Sequence, residues 1–231
     1  PALAASLELI ARDGPDAFYR GPIGVAVTEA VARAFNNPAI LTAEDLAAYR
    51  VAERKPLCRP YRQWKLCTMG PPSAGGIAVL QIVKQLERFD MAGLGPDNLL
   101  SWHLLAESQR LAFADREAFG ADADFAPVPV AGLLDPAYLK ARSQLIRKDR
   151  AMPEAMPGTP RGAGRRTAQR LADVPATSHM VAADSAGNVA NLTATIEGPF
   201  GSGLVAGGIL LNNELTDFDF EPVRGGVESR N

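Results

Sequence analysis

The sequence predicts an α+β chain, with a helical first part, a strand-rich second part and a loose segment joining them. Three observations carry this reading. Apolar residues recur at helical spacing in several stretches between Leu3 and Ile146. From Pro175 to Asp219 the pattern becomes two β-rich runs around the turn cluster Asp184-Ser185-Ala186-Gly187-Asn188, which reads as a hairpin. Between the two, residues 147–173 hold Pro153, Pro157, Pro160, Gly158, Gly162, Gly164 and the basic residues Arg161, Arg165, Arg166 and Arg170, with little apolar periodicity. That texture reads as an exposed, mobile linker whose arginines are solvated.

Taken in order, Leu3 to Ala11 has helical spacing and stops at Gly14, with Pro15 just beyond. Ile23 to Phe35 is a second helix, ended by Asn36-Asn37-Pro38. Thr42 and the acidic Glu44 and Asp45 supply an N-cap and first turn for a short helix to Tyr49. Lys55–Tyr61 and Trp64–Met69 read as paired strands, and the segment from Gly70 to Gly76 then leads into a long helix reaching Arg88. Leu99–Phe119 carries the strongest helical pattern, with Leu104, Leu105, Leu111 and Phe113 on one side and Glu107, Arg110, Asp115 and Arg116 elsewhere. Asp135-Pro136 opens a further helix to Ile146.

Composition narrows the function classes. A chain of 231 residues with 47% hydrophobic content can bury a full core. A net charge of −2 argues against a nucleic-acid surface, since phosphate binding wants a basic excess. No apolar run approaches the roughly 18 residues that a membrane span needs. Pro1 leads straight into an amphipathic pattern without a basic leader, so the chain reads as a mature or excised piece. Its two cysteines, Cys58 and Cys67, would face each other across a hairpin turned at Arg62-Gln63. That spacing could suit a disulfide, but the usual behaviour of free cysteine favours two small buried hydrophobes. It is not the spacing of a zinc site.

The chemistry-bearing groups gather between Thr177 and Asp217. Folding the hairpin about Ala186 sets Thr177 opposite Thr195. A glycine-rich loop, Gly198 to Gly203, follows; its backbone N–H groups are expected to be free and its dihedrals unusual. A phosphate-binding loop would need a lysine and a helix after Gly203, and Leu204-Val205-Ala206-Gly207-Gly208 supplies neither. His179 is tempting as a base, but a strand histidine is more often structural.

Thr177-Ser178-His179, Asp184 to Asn188, Phe200-Gly201-Ser202-Gly203, Ile209 to Glu214 and Asp217-Phe218 together resemble the γ-glutamyltranspeptidase family. Earlier stretches agree: Asp16 to Pro22, Leu41 to Tyr49, Pro71 to Gly76 and Ala114-Asp115-Arg116. The resemblance implies an N-terminal-nucleophile hydrolase fold, two sheets sandwiched between helical layers, here lacking the family's two ends. It implies self-cleavage between Ala176 and Thr177, so that residues 1–176 belong to a large subunit, with 147–176 as its linker, and 177–231 to a small one. Thr177 would be the nucleophile, with its freed α-amino group as base. Thr195 would tune its hydroxyl. Glu214 and Asp217 match positions that hold the donor's α-ammonium, while Glu197 stands where the family commonly has asparagine, which would shift donor specificity.

The implied activity is γ-glutamyl transfer or hydrolysis with glutathione-type donors and water, an amino acid or a peptide as acceptor. The family's donor-carboxylate arginine and its Ser-Ser oxyanion pair fall outside these residues, so the piece alone is expected to be inactive. Other readings keep the fold and change the substrate, to a β-lactam side chain or poly-γ-glutamate, or drop catalysis for a scaffold role. Thr177, Thr195, Glu214 and Asp217 occurring together argue against the scaffold. No cofactor, metal or nucleic acid is implied, and the resemblance suggests a periplasmic or secreted home.

Overall fold

The structure, a computed structural model, describes residues 1–73, 75–164, 177–218, 221, 223–224 and 227–228. In chain order the helices and strands are α1 (Ala2–Asp13), α2 (Asp16–Tyr19), α3 (Pro22–Ala32), α4 (Ala43–Ala48), β1 (Leu57–Tyr61), β2 (Trp64–Thr68), α5 (Gly75–Leu86), α6 (Met91–Leu94), α7 (Leu99–Phe119), α8 (Val130–Leu133), α9 (Pro136–Ser143), β3 (Ser178–Ala183), β4 (Val189–Ala194), β5 (Val205–Ala206), β6 (Ile209–Leu210), β7 (Val223–Arg224) and β8 (Val227–Glu228). The strands pair antiparallel, each with its sequence neighbour, and among the described residues no sheet exceeds two strands. No helix among them is long and apolar enough to cross a membrane.

The chain divides into two compact units. The first joins Pro1–Ala52 to the described residues of Ala172–Asp217. Its small core holds Ala17, Ile23, Val27 and Ala206. Short residues let the segments approach closely. Ser6 Oγ donates to the Gly207 carbonyl at 2.7 Å, and a Cβ on Gly208 would strike the backbone of Leu3. Gly207 and Gly208 both have positive φ, 57° and 79°, which glycine alone adopts freely. Within the same unit α4 is started by a reciprocal capping box: Thr42 Oγ1 accepts from the Asp45 N–H, and Asp45 accepts from the Thr42 N–H.

The second unit holds the described residues of Glu53–Leu171 and those after Asp217. Here α5 and α7 pack together, and two apolar clusters surround them. One comprises Ile77, Leu80, Ala118, Phe119, Leu133 and Leu134; the other Leu86, Phe89, Leu104, Leu111 and Ile146. The face that α7 buries differs from the expected one. Phe113 is exposed, while Glu107 and Asp115 are buried with Leu104, Ser108, Leu111 and Ala118. The reason is that both acids are consumed by partners. Asp115 takes the Tyr138 hydroxyl at 2.7 Å, the Gly158 N–H at 2.9 Å, the Gln81 amide at 3.2 Å and the Arg142 guanidinium at 3.1 Å. Burial and the neighbouring Asp115 push the Tyr138 phenol well above its ordinary pKa, so it stays a proton donor. Glu107 accepts from the Met152 N–H at 2.7 Å and pairs with Arg110.

Those same bonds anchor the segment after residue 147. It is irregular, as its prolines and glycines require, but through residue 164 it is tied to α7 at Met152 and Gly158 and buries Pro160. Residues 165–176 of the expected linker lie outside the described residues. Cys58 and Cys67 face each other across the β1–β2 ladder and form a disulfide, with Cα atoms 4.1 Å apart. Cys67 is exposed, so the alternative of two buried hydrophobes does not hold.

Candidate active site

The hairpin that organises the candidate site folds as its turn residues dictate. Asp184 accepts hydrogen bonds from the Ala186 N–H, the Asn188 N–H and the Asn188 side-chain amide, at 2.7–2.9 Å, and Gly187 takes φ 84°. The Asn188 side chain, followed by these backbone donors, holds the Asp184 carboxyl below its ordinary pKa. The turn fixes the register: Ala183 faces Val189, His179 faces Thr193, and the ladder ends with Ser178 facing Ala194. Thr177 and Thr195 lie one residue beyond this last pair and outside the ladder. Thr177 is exposed and Thr195 half-buried. Ala176 lies outside the described residues.

Beyond β4 the chain turns back on itself. Thr195 Oγ1 accepts the Glu197 N–H at 2.8 Å, and Glu197 adopts φ 70°. Asn213 then stitches this turn to the acidic segment. Its N–H donates to the Ile196 carbonyl at 3.2 Å, and its Oδ1 accepts from the Gly198 N–H at 2.8 Å. Directly after it Glu214–Asp217 form a single 3₁₀ turn, started by Asn212 Oδ1 accepting the Glu214 N–H at 3.0 Å. Thr195, Glu197 and the turn bearing Glu214 and Asp217 are thus held in one constellation within the first unit, with Asn213 as the clasp. Asn213 entered the sequence reading only as part of the stretch Ile209 to Glu214; a contact to a residue fifteen positions away leaves no local signal.

One expectation changes. The N–H groups of the glycine-rich loop are not free: Gly198 donates to Asn213, Gly201 to the Gly198 carbonyl, Ser202 to the Leu211 carbonyl and Gly203 to the Phe200 carbonyl. The glycines serve the fold instead. Gly201 and Gly203 have φ 54° and 75°, and a Cβ on Gly201 would collide with the Leu211 carbonyl. His179 is engaged across the ladder, its Nδ1 2.8 Å from Thr193 Oγ1. A void of about 20 Å³ does open in the second unit beside Pro72, Ile77, Gln81 and Asp115, but no site residue lines it. It has room for about one water, not for an acyl donor.

Comparison with known proteins gives a consistent family. A family model described as gamma-glutamyltranspeptidase matches residues 1–229. The glutathione hydrolase proenzyme of Escherichia coli K12 is 38% identical over 226 residues, covering 95% of this chain and 37% of that protein. The acylase ACY 1 proenzyme of Pseudomonas sp. SE83 is 39% identical over 223 residues, covering 96% of this chain and 38% of that one. Among solved structures, the gamma-glutamyltranspeptidase of Helicobacter pylori superposes with a TM-score of 0.63 at 37% identity, over 67% of this chain and 44% of that one. A cephalosporin acylase from Bacillus halodurans superposes with a TM-score of 0.78 at 26% identity, over 100% of this chain and 40% of that one. The fold is therefore the α+β, N-terminal-nucleophile hydrolase class. The chain spans a little over a third of the length of these curated relatives, 37% and 38%.

Proposed function

Because the chain belongs to the gamma-glutamyltranspeptidase family, we propose that the protein it comes from is a self-processing acyl-transfer enzyme with Thr177 as its nucleophile. The observation that supports the reading is the hairpin register, whose last pair is Ser178 with Ala194, so that one further rung would bring Thr177 and Thr195 opposite each other. In processing, Thr177 Oγ attacks the carbonyl carbon of Ala176, the C–N bond breaks, and the hydroxyl proton ends on the freed nitrogen. Water then hydrolyses the resulting ester, leaving a carboxylate on Ala176 and restoring the Thr177 hydroxyl. The new α-amino group, with an ordinary pKa of about 7.7–8.0, is partly neutral near pH 7 and can take the hydroxyl proton in turnover.

In turnover the same oxygen attacks the donor's γ-carbonyl, the leaving amine takes the proton, and a glutamyl ester of Thr177 forms. Water or an amino acceptor attacks that ester and returns the proton to Oγ. Glu214 and Asp217 supply carboxylates for the donor's α-ammonium, the charge complement such a group needs. Glu197 adds a third acid to the donor side. Residues 1–176 and 177–231 are then large- and small-subunit pieces of one precursor.

A second reading keeps the mechanism and exchanges the donor for an acyl-amide such as a β-lactam side chain. Similarity of equal strength to an acylase, and the acid at position 197, favour weighing it. Intact mass and N-terminal sequencing of the full-length protein, beside Thr177→Ala, test the common core: a new N-terminus at Thr177, absent in the variant, is expected. A full-length protein uncut in both forms would sink the enzyme reading and leave the scaffold one. Rates with γ-glutamyl-anilide against glutaryl-amide donors then choose the substrate.

A further inference from the structure

Glu197 and Arg62 are the non-glycine residues with positive φ among those described, at 70° and 52°. Arg62 has an evident reason, since it lies in the two-residue turn joining β1 to β2, where such dihedrals match the strand twist. Glu197 is in no such turn. It follows β4, and a side chain disfavours its conformation. What holds it there is visible on both sides. The Asn213 N–H pins the Ile196 carbonyl before it, and Asn213 Oδ1 pins the Gly198 N–H after it. The result of the turn is one bond, from the Glu197 N–H to Thr195 Oγ1 at 2.8 Å.

A threonine hydroxyl has one proton to give and two lone pairs to accept with. An amide donating into one lone pair polarises the hydroxyl and makes it a better donor. Thr177 and Thr195 are the next residues beyond the last ladder pair, Ser178 with Ala194, and one more rung would bring them together. We propose that residue 197 is a positioning residue, whose left-handed backbone rather than its side chain commits the Thr195 proton to Thr177 Oγ. The inference rests on the reading of Thr177 as the nucleophile. It separates two roles at one position: the amide serves the nucleophile, while the carboxylate serves the donor.

The consequence is a ranking. Self-cleavage should follow tolerance of positive φ, not side-chain charge. In the full-length precursor, followed by intact mass over time, Glu197→Gly and Glu197→Asn cleave at least as fast as the parent. Glu197→Val, β-branched and averse to this conformation, cleaves at least tenfold more slowly. Once processed, Glu197→Gly has a raised KM for the acyl donor, because the carboxylate is gone. A thermal melt of each variant identifies any that fails to fold. In a Thr195→Val background, cleavage is slow and Glu197→Val adds no further loss, since residue 197 acts through that hydroxyl.

Glu197→Gly cleaving tenfold more slowly than the parent, or Glu197→Val cleaving as fast, would overturn the proposal. So would a full additional tenfold loss from Glu197→Val when Thr195 is already valine. A parent that stays uncut sinks the nucleophile reading and this inference together. A parent that cuts while the ranking fails sinks this inference alone.

Discussion

Thr195 and Asp115 show how differently single residues act in this chain. Thr195 is half-buried, its hydroxyl accepts one backbone amide, and its methyl and hydroxyl suit a strand. Replacing it by valine preserves shape, so stability should change by about 1 kcal/mol or less, the usual net worth of one hydrogen bond. Self-cleavage should fall far more, by about 10²-fold, as for loss of a positioned polar group next to a reacting atom. Equal melting temperatures with a slowed mass change would establish that split; a stability loss matching the rate loss would refute it. Asp115 is the reverse case. It is fully buried and holds four partners, including the Arg142 guanidinium, whose Nε finds no partner of its own. Asp115→Ala strands a buried cation and a phenol, at a cost of about 3–5 kcal/mol in urea unfolding. Tyr138→Phe removes one bond and should cost only about 1–3 kcal/mol, since Asp115 keeps its other donors. Neither role is local in the sequence. The register of the β3–β4 hairpin, from Ser178 with Ala194 to Ala183 with Val189, was legible because Asp184 to Asn188 fix the turn. The buried state of Asp115 was not, because its partners lie on α5, α9 and the irregular segment, 23 to 43 positions away.

At the scale of elements, helices with a long apolar period were legible to within a few residues. Leu99–Phe119 matches α7 end to end, and the Thr42 cap and Asp135-Pro136 start stand where α4 and α9 begin. The four-residue helices α2, α6 and α8 were not, since one turn carries no period to read. The face of α7 was misread for a related reason. A stripe through Leu104, Ser108, Leu111, Asp115 and Ala118 has the right spacing, but weighting only apolar residues rotates it toward Phe113. The cysteine spacing admitted either state, and the β1–β2 ladder decides it. Removing that bridge by Cys58→Ser with Cys67→Ser should lower stability by roughly 2–3 kcal/mol, given the short loop it closes. The β3–β4 turn makes a pH prediction. Its Asp184 carboxyl is held below its ordinary value by the Asn188 side chain and nearby N–H groups, so the ionised form belongs to the folded turn. Its stabilisation is present above the ordinary carboxylate pKa of about 3.9 and lost as pH falls through the lower folded value. Cross-strand NMR contacts between His179 and Thr193 should therefore weaken at that acid limit, and Asp184→Asn should flatten the dependence. An unchanged profile in the variant would assign the acid transition to another group.

At the scale of the molecule, the compact units do not follow the expected cut. The first unit is built from both sides of it, with Pro1–Ala52 packed against residues after Thr177. Ala206 is buried in that unit, Ser6 bonds to Gly207, and Gly208 passes so close to Leu3 that no side chain fits. Cleavage at Thr177 should therefore break one covalent bond without separating the products. On the full-length protein, size-exclusion chromatography in native buffer should give one peak holding both pieces, and denaturing mass analysis of that peak should give two masses. Gly208→Val, which drives a side chain into the Leu3 backbone and strains a φ of 79°, should loosen the association so that the pieces separate at lower urea. If the processed pieces parted in native buffer without that substitution, the packing of Ser6, Ala206 and Gly207 would not be what holds the matured protein together.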